Sequence, residues 1–253
     1  MSKVGDAYTR HAHFVERYKT GQFNKVKPYI LKIHTRLRDE LLRTATVQGR
    51  KRTQAKLKAV ERIIFTIFTE YTDELKEQFD LFMMSEAKFG QRAINKYAND
   101  FDAVIPALSR LRTAAYSRPF NNRLLKQTLR DFPRQQARMI RDAVSMGFFE
   151  GKTTPQIIGE IIGTSANNFN DGLLKVSRNS ASRMTRTAIN HLAATAKEQL
   201  FKENGINKYE WVATLDSRTS DICTSLDGDI FEVGKGRLPP AHHNCRSTTA
   251  PIL

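Results

Sequence analysis

The sequence predicts a mainly α-helical N-terminal region with long helices, followed by a small α+β C-terminal domain with a short antiparallel sheet. Three observations carry this. Apolar residues recur at three- and four-residue spacing through most of the first two hundred positions, the period of a helix with one buried face. Beyond Gly205 that spacing stops, and short runs of aromatic and β-branched residues alternate with Gly, Pro, Asn and Asp, a strand-and-turn pattern. Both cysteines and two of the six histidines also fall in that last stretch.

Taken in order, Phe23, Val26, Ile30, Ile33, Leu37 and Leu41 form one helical stripe. A longer stripe runs through Leu57, Val60, Ile64, Ile67, Tyr71, Leu75, Phe79 and Phe82 with no Pro or Gly between them. It predicts one helix from about Thr53 past Phe82 toward Tyr97, with Gly49 and Arg50-Lys51-Arg52 marking the turn before it. Asn99-Asp100 and Pro106 interrupt the pattern, because proline lacks an amide donor and clashes with the preceding turn; shorter helices follow. Asp131-Phe132-Pro133 reads as a helix start, Asp131 capping and Pro133 in the first turn. Along that helix Arg134, Arg138 and Arg141 share one face, opposite Gln136, Ile140, Ala143 and Val144. The arginine row is either a solvated face or a contact for DNA or another acidic surface.

Gly151 to Pro155 is a loop into a helix capped by Thr153 or Thr154, with Ile157, Ile158, Ile161 and Ile162 buried and Gly163 at its end. A polar stretch, Asn167 to Gly172, separates it from a helix of about Ser177 to Asn204, closed by Gly205. Tyr209, Trp211 and Val212 form a strand. Asp227-Gly228 is a hairpin-type turn into Ile230–Val233, and Cys245 to Ile252 is a closing strand.

At 253 residues and 40% hydrophobic content, the chain can build one large core or two modest ones. No apolar run is long enough to cross a bilayer, and no charged segment followed by an apolar one begins at Met1. The expectation is a protein of the cytoplasm, or of something assembled there. Two cysteines make no disulfide framework, and a reducing compartment leaves them as thiols open to a metal. The net charge of +15 points to a polyanionic partner, but it is unevenly placed: +7 over residues 1–50, +1 over 51–100, +5 over 101–150, +3 over 151–200 and −1 over 201–253. The first 150 residues are therefore the part suited to phosphates.

The C-terminal motifs come in a defined order: Gly151 to Ile157, Arg186-Thr187, Gly205-Ile206 with Tyr209 and Trp211, Asp216-Ser217-Arg218-Thr219, Leu226-Asp227-Gly228, then Pro239-Pro240-Ala241-His242-His243-Asn244-Cys245-Arg246. This set, spanning roughly Gly147 to Pro251, resembles the head morphogenesis proteins of tailed phages, typified by the minor head protein F of phage Mu. The resemblance implies a head-morphogenesis-like α+β domain over 147–253; the first 146 residues show no such match, and their charge and helix pattern read as a basic helical region, 1–146, that contacts portal or DNA. The resemblance further implies a minor capsid protein of the virion, assembled in the host cytoplasm. Its partners would be portal, capsid or scaffolding proteins, with double-stranded DNA during packaging or ejection, and it would be oligomeric in the virion.

Physically, Asp216 and Asp227 suit capping and turn bonds, Gly228 supplies a positive φ, and Arg246 can hold two turns together through a forked bond to Asp216 or Asp221. With Trp211, Arg218, Pro240 and Asn244 they form a structural motif. Cys223 and Cys245, with His242 or His243, have the ligand chemistry of a structural zinc site. Many members of the resembled family carry Arg-x-Cys-Pro-x-Cys and His-x-Asn-Cys-Arg-Cys, and here Ser220 and Ser247 occupy the extra cysteine positions. A Cys2His or Cys2His2 zinc set, buried thiols and a Cys223–Cys245 disulfide all stand as readings.

The string His242-His243-Asn244 also suggests a metal-dependent nuclease, but such a site needs a further ligand on a helix after the hairpin, and eight residues follow Cys245. A plain DNA-binding module is the remaining alternative. His11, His13, His34 and His191 read as packing or surface histidines. No phosphate loop, nucleophile triad or paired carboxylates in apolar context are present in the sequence, so no catalytic residues are assigned.

Overall fold

The computed structural model describes residues 2–43, 50–98, 101–120 and 122–253. Eight helices, α1 Lys3–Asn24, α2 Val26–Arg43, α3 Arg50–Tyr97, α4 Leu108–Ser117, α5 Leu125–Phe149, α6 Thr154–Ile162, α7 Leu173–Glu203 and α8 Asp221–Leu226, accompany three strands, β1 Lys208–Val212, β2 Ile230–Glu232 and β3 Thr248–Ile252. The sheet is antiparallel in the order β2-β1-β3, with Tyr209 opposite Phe231 and Pro251, and Trp211 opposite Thr249. The expected architecture of long helices and a small sheet is present.

The chain forms two compact units, each assembled from separated segments. The first comprises Met1–Gln22, Lys76–Lys126 and Arg183–Leu253; the second comprises Phe23–Leu75 and Gln127–Ser182. The boundary expected at 146/147 falls inside α5. The long helices α3 and α7 contribute to both units, and no linker separates them in sequence order.

Several local readings differ from the structure. The helix carrying Ile33, Leu37 and Leu41 starts at Val26, after a turn at Lys25; Phe23 lies in the last turn of a preceding helix, α1, that the sequence reading does not place. The α1 stripe was masked because its buried positions include Gly5, Lys19 and Gln22 beside Val4, Tyr8 and Val15. The turn expected at Gly49 and the break at Asn99-Asp100 lie outside the described residues, while Arg50 already belongs to α3.

Asp131 is no cap. The helix α5 begins six residues earlier and carries Pro133 in its interior. Burial explains this: Leu125, Leu129 and Phe132 are all buried, Phe132 edge-on to Phe68 at 5.2 Å. That apolar stripe, continued by Ile140 and Val144, outweighs the roughly 3 kcal/mol cost of an internal proline. By contrast α6 follows the sequence closely. Thr153 caps it in a reciprocal box with Gln156, and Gly163 ends it at φ 94°, though Ile158 is only half-buried.

In the first unit, α1, α3, α7 and the sheet share a core that includes Tyr8, Ile94, Leu200, Phe201, Tyr209 and Ala250. Inside it lies an ionic group. Glu86 of α3 is fully buried and takes a 2.6 Å bond from His11 Nε2 and a 3.4 Å ion pair from Lys197 of α7. Burial pushes Glu86 up, but Lys197 and the His11 bond outweigh it and hold the carboxyl below its usual range. Lys197 also donates to Thr248 Oγ1 at 2.7 Å. Each charge thus has a partner, as a low-dielectric interior requires.

His191 of α7 is buried and uncharged. Its Nε2 donates to Ala115 O at 2.8 Å and its ring stacks on Phe120 at 4.6 Å. Burial lowers its pKa to about 4 from 6.5, the Ala115 bond opposing and Arg118 assisting. The unfolded chain therefore binds a proton that the native state refuses between those values. Stability from the neutral ring is complete above about pH 6.5 and is lost as pH falls toward 4, by about 3 kcal/mol. We predict that urea midpoints of the wild-type protein fall through this window and that His191→Gln, which keeps the donor but does not titrate, flattens the profile; parallel profiles would refute the assignment.

Candidate functional site

The motif residues converge in the first unit, around the end of β1, α8 and the segment leading into β3. β1 places Trp211 in full burial, where it packs with Ala213, Cys223 and Cys245. Cys223 sits on α8, a short helix that the strand reading of this region missed. Its six residues, Asp-Ile-Cys-Thr-Ser-Leu, are too few to display a helical period. Consequently Asp227-Gly228 joins a helix to β2 and is not a hairpin between adjacent strands. Gly228 has the expected positive φ, 84°, and its amide donates to Trp211 O at 2.9 Å.

The carboxylates do different work. Asp216 accepts from its own turn, from Arg218 N at 2.8 Å, and receives the fork of Arg246, Nη1 to Oδ2 at 2.6 Å and Nη2 to Oδ1 at 2.5 Å. The Arg246 bonds, then the Arg218 amide, hold the Asp216 carboxyl far below the usual carboxylate range. Asp221 is not the fork's partner. Asp227 reaches back fourteen residues to accept from Ala213 N at 2.7 Å, tying the end of β1 in place of capping its own turn. Thr219 Oγ1 donates to Thr214 O and accepts from Asp216 N, while Thr214 Oγ1 donates to Arg246 O at 3.2 Å. The loop 213–220 is therefore closed on the segment that carries Cys245.

That segment is itself anchored on the helices. Pro240 is buried after a cis Pro239–Pro240 bond; Asn244, at φ 59°, donates its amide to Thr187 Oγ1 of α7 at 3.2 Å. Lys19 of α1, only 1% exposed, donates to Cys245 O at 3.1 Å, Asn190 Oδ1 at 3.0 Å and Glu16. Asn190 in turn donates to Ser247 O at 3.3 Å. The sequence reading singles out Thr187, within the Arg186-Thr187 pair, but not Lys19, Asn190 or Lys197. A lysine or asparagine within an apolar stripe was the available signal.

At the centre are Cys223, Cys245 and His242, whose ligand atoms all lie within 4.8 Å of one another. The sulfurs are 3.7 Å apart, and His242 Nε2 is 3.2 Å from Cys223 Sγ and 2.8 Å from Ser220 Oγ. His242 Nδ1 lies 2.8 Å from His243 O. A carbonyl can only accept, so Nδ1 carries the proton and the Nε2 lone pair faces the thiols. His243 is exposed and outside this group, with its pKa lowered by partial burial, then by Arg183 and His242. Hydrogen bonding from Cys245 lowers the Cys223 thiol, helped by Ser247, Ser220 and His242; the same bond, with burial, raises Cys245. Ser247 Oγ is buried and otherwise without a hydrogen-bond partner among the described residues. A cavity of about 20 Å³ opens onto Ser220, Cys223, His242 and Ser247.

The arginine row lies in the second unit. Arg134 and Arg138 are exposed, Arg134 at 4.0 Å from Asp131, whereas Arg141 is half-buried and paired with Glu61 at 3.2 Å and Asp142 at 2.6 Å. Glu61 and Asp142 thus offset part of the row.

The motif side chains thus tie turns, strand ends and helices of the first unit to one another. Residues 138–250 match the family model for Phage Mu protein F like protein, in agreement with the head morphogenesis family that the motif order resembles. No curated protein and no solved structure matches the chain. Among the described residues, no helix is long and apolar enough to cross a membrane.

The fork should matter for order more than for charge. We predict that Arg246→Lys, which keeps the charge but loses the planar pair of donors, lets trypsin cut after the exposed Arg218 several-fold faster than in the wild-type protein. Equal rates would show that the fork does not hold the loop.

Proposed function

We propose that this chain is a minor structural protein of a tailed-phage head that joins the portal vertex during procapsid assembly and contacts DNA during packaging or ejection. The observation that carries the reading is the match over residues 138–250 to the Phage Mu protein F like family. The disposition of the motif supports it. Asp216, Asp227, Asn244 and Arg246 are each engaged within the chain, and the cavity at the Cys–His cluster has room for about one ion or water, not for a substrate. The domain is on this reading a docking unit, without turnover, located in the virion. The basic N-terminal region, 1–146, supplies the face for portal or DNA, through exposed groups such as Arg134 and Arg138.

An amber mutation in the gene tests this. The expected result is that non-permissive infections yield heads blocked in assembly or lacking DNA, and that wild-type particles contain the protein in fewer copies than the major capsid protein, co-purifying with the portal. Its absence from particles and their precursors, or plasmid cleavage abolished by His243→Ala, overturns the role.

We also infer a structural zinc at Cys223, His242 and Cys245. In a tetrahedral site with Zn–S near 2.3 Å, two sulfurs stand about 3.7–3.8 Å apart, and the separation here is 3.7 Å. The Nε2 lone pair aimed at the thiols, with Nδ1 held by a carbonyl, is the arrangement a metal-bound imidazole adopts. Ser220 or a water in the small cavity completes the set. Protein purified under reducing conditions should hold about one equivalent of zinc, and Cys245→Ser should lose it; less than a tenth of an equivalent in the wild-type protein rules the site out.

A further inference from the structure

The second unit carries a groove that no part of the head-protein reading uses. Its volume is about 320 Å³, and it runs between α2 and the α6–α7 connection. Ile30, Leu31, Ile162 and Leu174 make the floor, with Phe169 standing at its edge; Leu31 is 66% and Phe169 49% exposed. Lys27, His34, Lys175 and Arg178 make the rim. No acidic residue lines it, and no carboxylate pairs with Lys27, Lys175 or Arg178 among the described residues.

The wall bearing Phe169 is built before any partner arrives. A single 3₁₀ turn, Ser165–Asn167, leads to Asn168 at φ 49° and Phe169 at φ 56°. Consecutive left-handed residues without glycine are strained, and a bulky phenylalanine there is an outlier. Asp171 holds the conformation by accepting from Thr164 N at 2.8 Å, Thr164 Oγ1 at 2.6 Å and Asn167 Nδ2 at 2.7 Å. The ends are pinned as well: a Cβ on Gly172 would stand 2.3 Å from Gly163 N, and one on Gly163, 2.6 Å from Asp171 Oδ1. His34 meets the Phe169 ring edge-on at 5.4 Å, and Arg178 Nη2 donates to Asn170 Oδ1 at 3.3 Å. The strain keeps an aromatic side chain out in water, where folding alone gains nothing.

We propose that this groove docks an acidic protein segment with an apolar anchor, the anchor filling the floor against Phe169 and its flanking carboxylates meeting Lys27, Lys175 and Arg178. A preorganised aromatic beside unpaired cations is the composition of an interface hot spot. Charge complementarity selects the acidic partner, and the apolar floor selects a side chain over a phosphate backbone, which would leave that surface uncovered. The inference does not rest on the head-protein role.

The test pans a random dodecapeptide library displayed on yeast against the full chain. Enriched peptides should combine Leu, Ile or Phe with two or more Asp or Glu. The best of them, fluorescently labelled, should bind about tenfold more weakly to Phe169→Ser and to Leu31→Ser, several-fold more weakly to Lys175→Glu, and more weakly at high salt. Both apolar positions are solvent-exposed, and unchanged melting curves verify that the variants fold. No enrichment, enrichment of acid-free sequences, or affinity unchanged in Phe169→Ser overturns the proposal. So does displacement of the peptide by duplex or single-stranded DNA whose own affinity depends on Phe169, which assigns the groove to nucleic acid.

Discussion

Two buried ammonium groups govern the architecture of the first unit. Lys19 and Lys197 are each about 1% exposed, and a cation in such surroundings is tolerated only when oxygen atoms surround it. The helices supply part of the requirement through Glu16, Asn190 and Glu86. The remainder comes from the C-terminal segment, as Cys245 O and Thr248 Oγ1. Shifting that segment by one residue would leave both ammoniums short of an acceptor and would turn the side chains of β3 to the opposite face. The register of the last strand is thus fixed by polar demands on α1 and α7 as much as by its ladder with β1.

That register has a consequence twenty residues upstream. With Cys245 O held by Lys19 and Ser247 O by Asn190, the Cys245 side chain is set against Cys223 and Trp211, and Arg246 is directed to Asp216. The short α8 then has little freedom. Its first turn is bound to His242 through Ser220, and its end is fixed where Asp227 accepts from Ala213 N. The ligand cluster is therefore the product of anchors outside it. The resembled family's extra cysteine positions are here Ser220 and Ser247, and both hydroxyls remain at the cluster.

Long apolar stripes were legible because periodicity is a local property. The α3 stripe could be read residue by residue, and for the Thr153–Gly163 helix the caps as well. What was not legible depended on distant contacts. Pro133 is accommodated because Leu129 and Phe132 are buried, Phe132 against Phe68, sixty-four positions away in sequence. The helix α1 is polar on part of its buried face because Lys19 serves partners that the sequence does not announce. Likewise the interleaved units arise where α3 and α7 each pass through both, which no shift of composition marks. At the site, a forked bond from Arg246 followed from residue chemistry, whereas the choice of Asp216 over Asp221 and of His242 over His243 required the folded backbone that places them.

The two units spend their polar residues in opposite ways. In the first, the motif carboxylates and Arg246 bond within the chain, and the Cys–His cluster closes around a space of about 20 Å³. Such a region resists deformation and offers a partner few unsatisfied groups. In the second, Asp171 is used to hold a strained loop, and the cations around Phe169 keep no carboxylate. A loop held in an unfavourable conformation by three hydrogen bonds to one carboxylate contributes nothing evident to its own core, since the side chain it displays is exposed. Strain of this kind persists where the surrounding structure enforces it, and it is most often found where a surface meets another molecule.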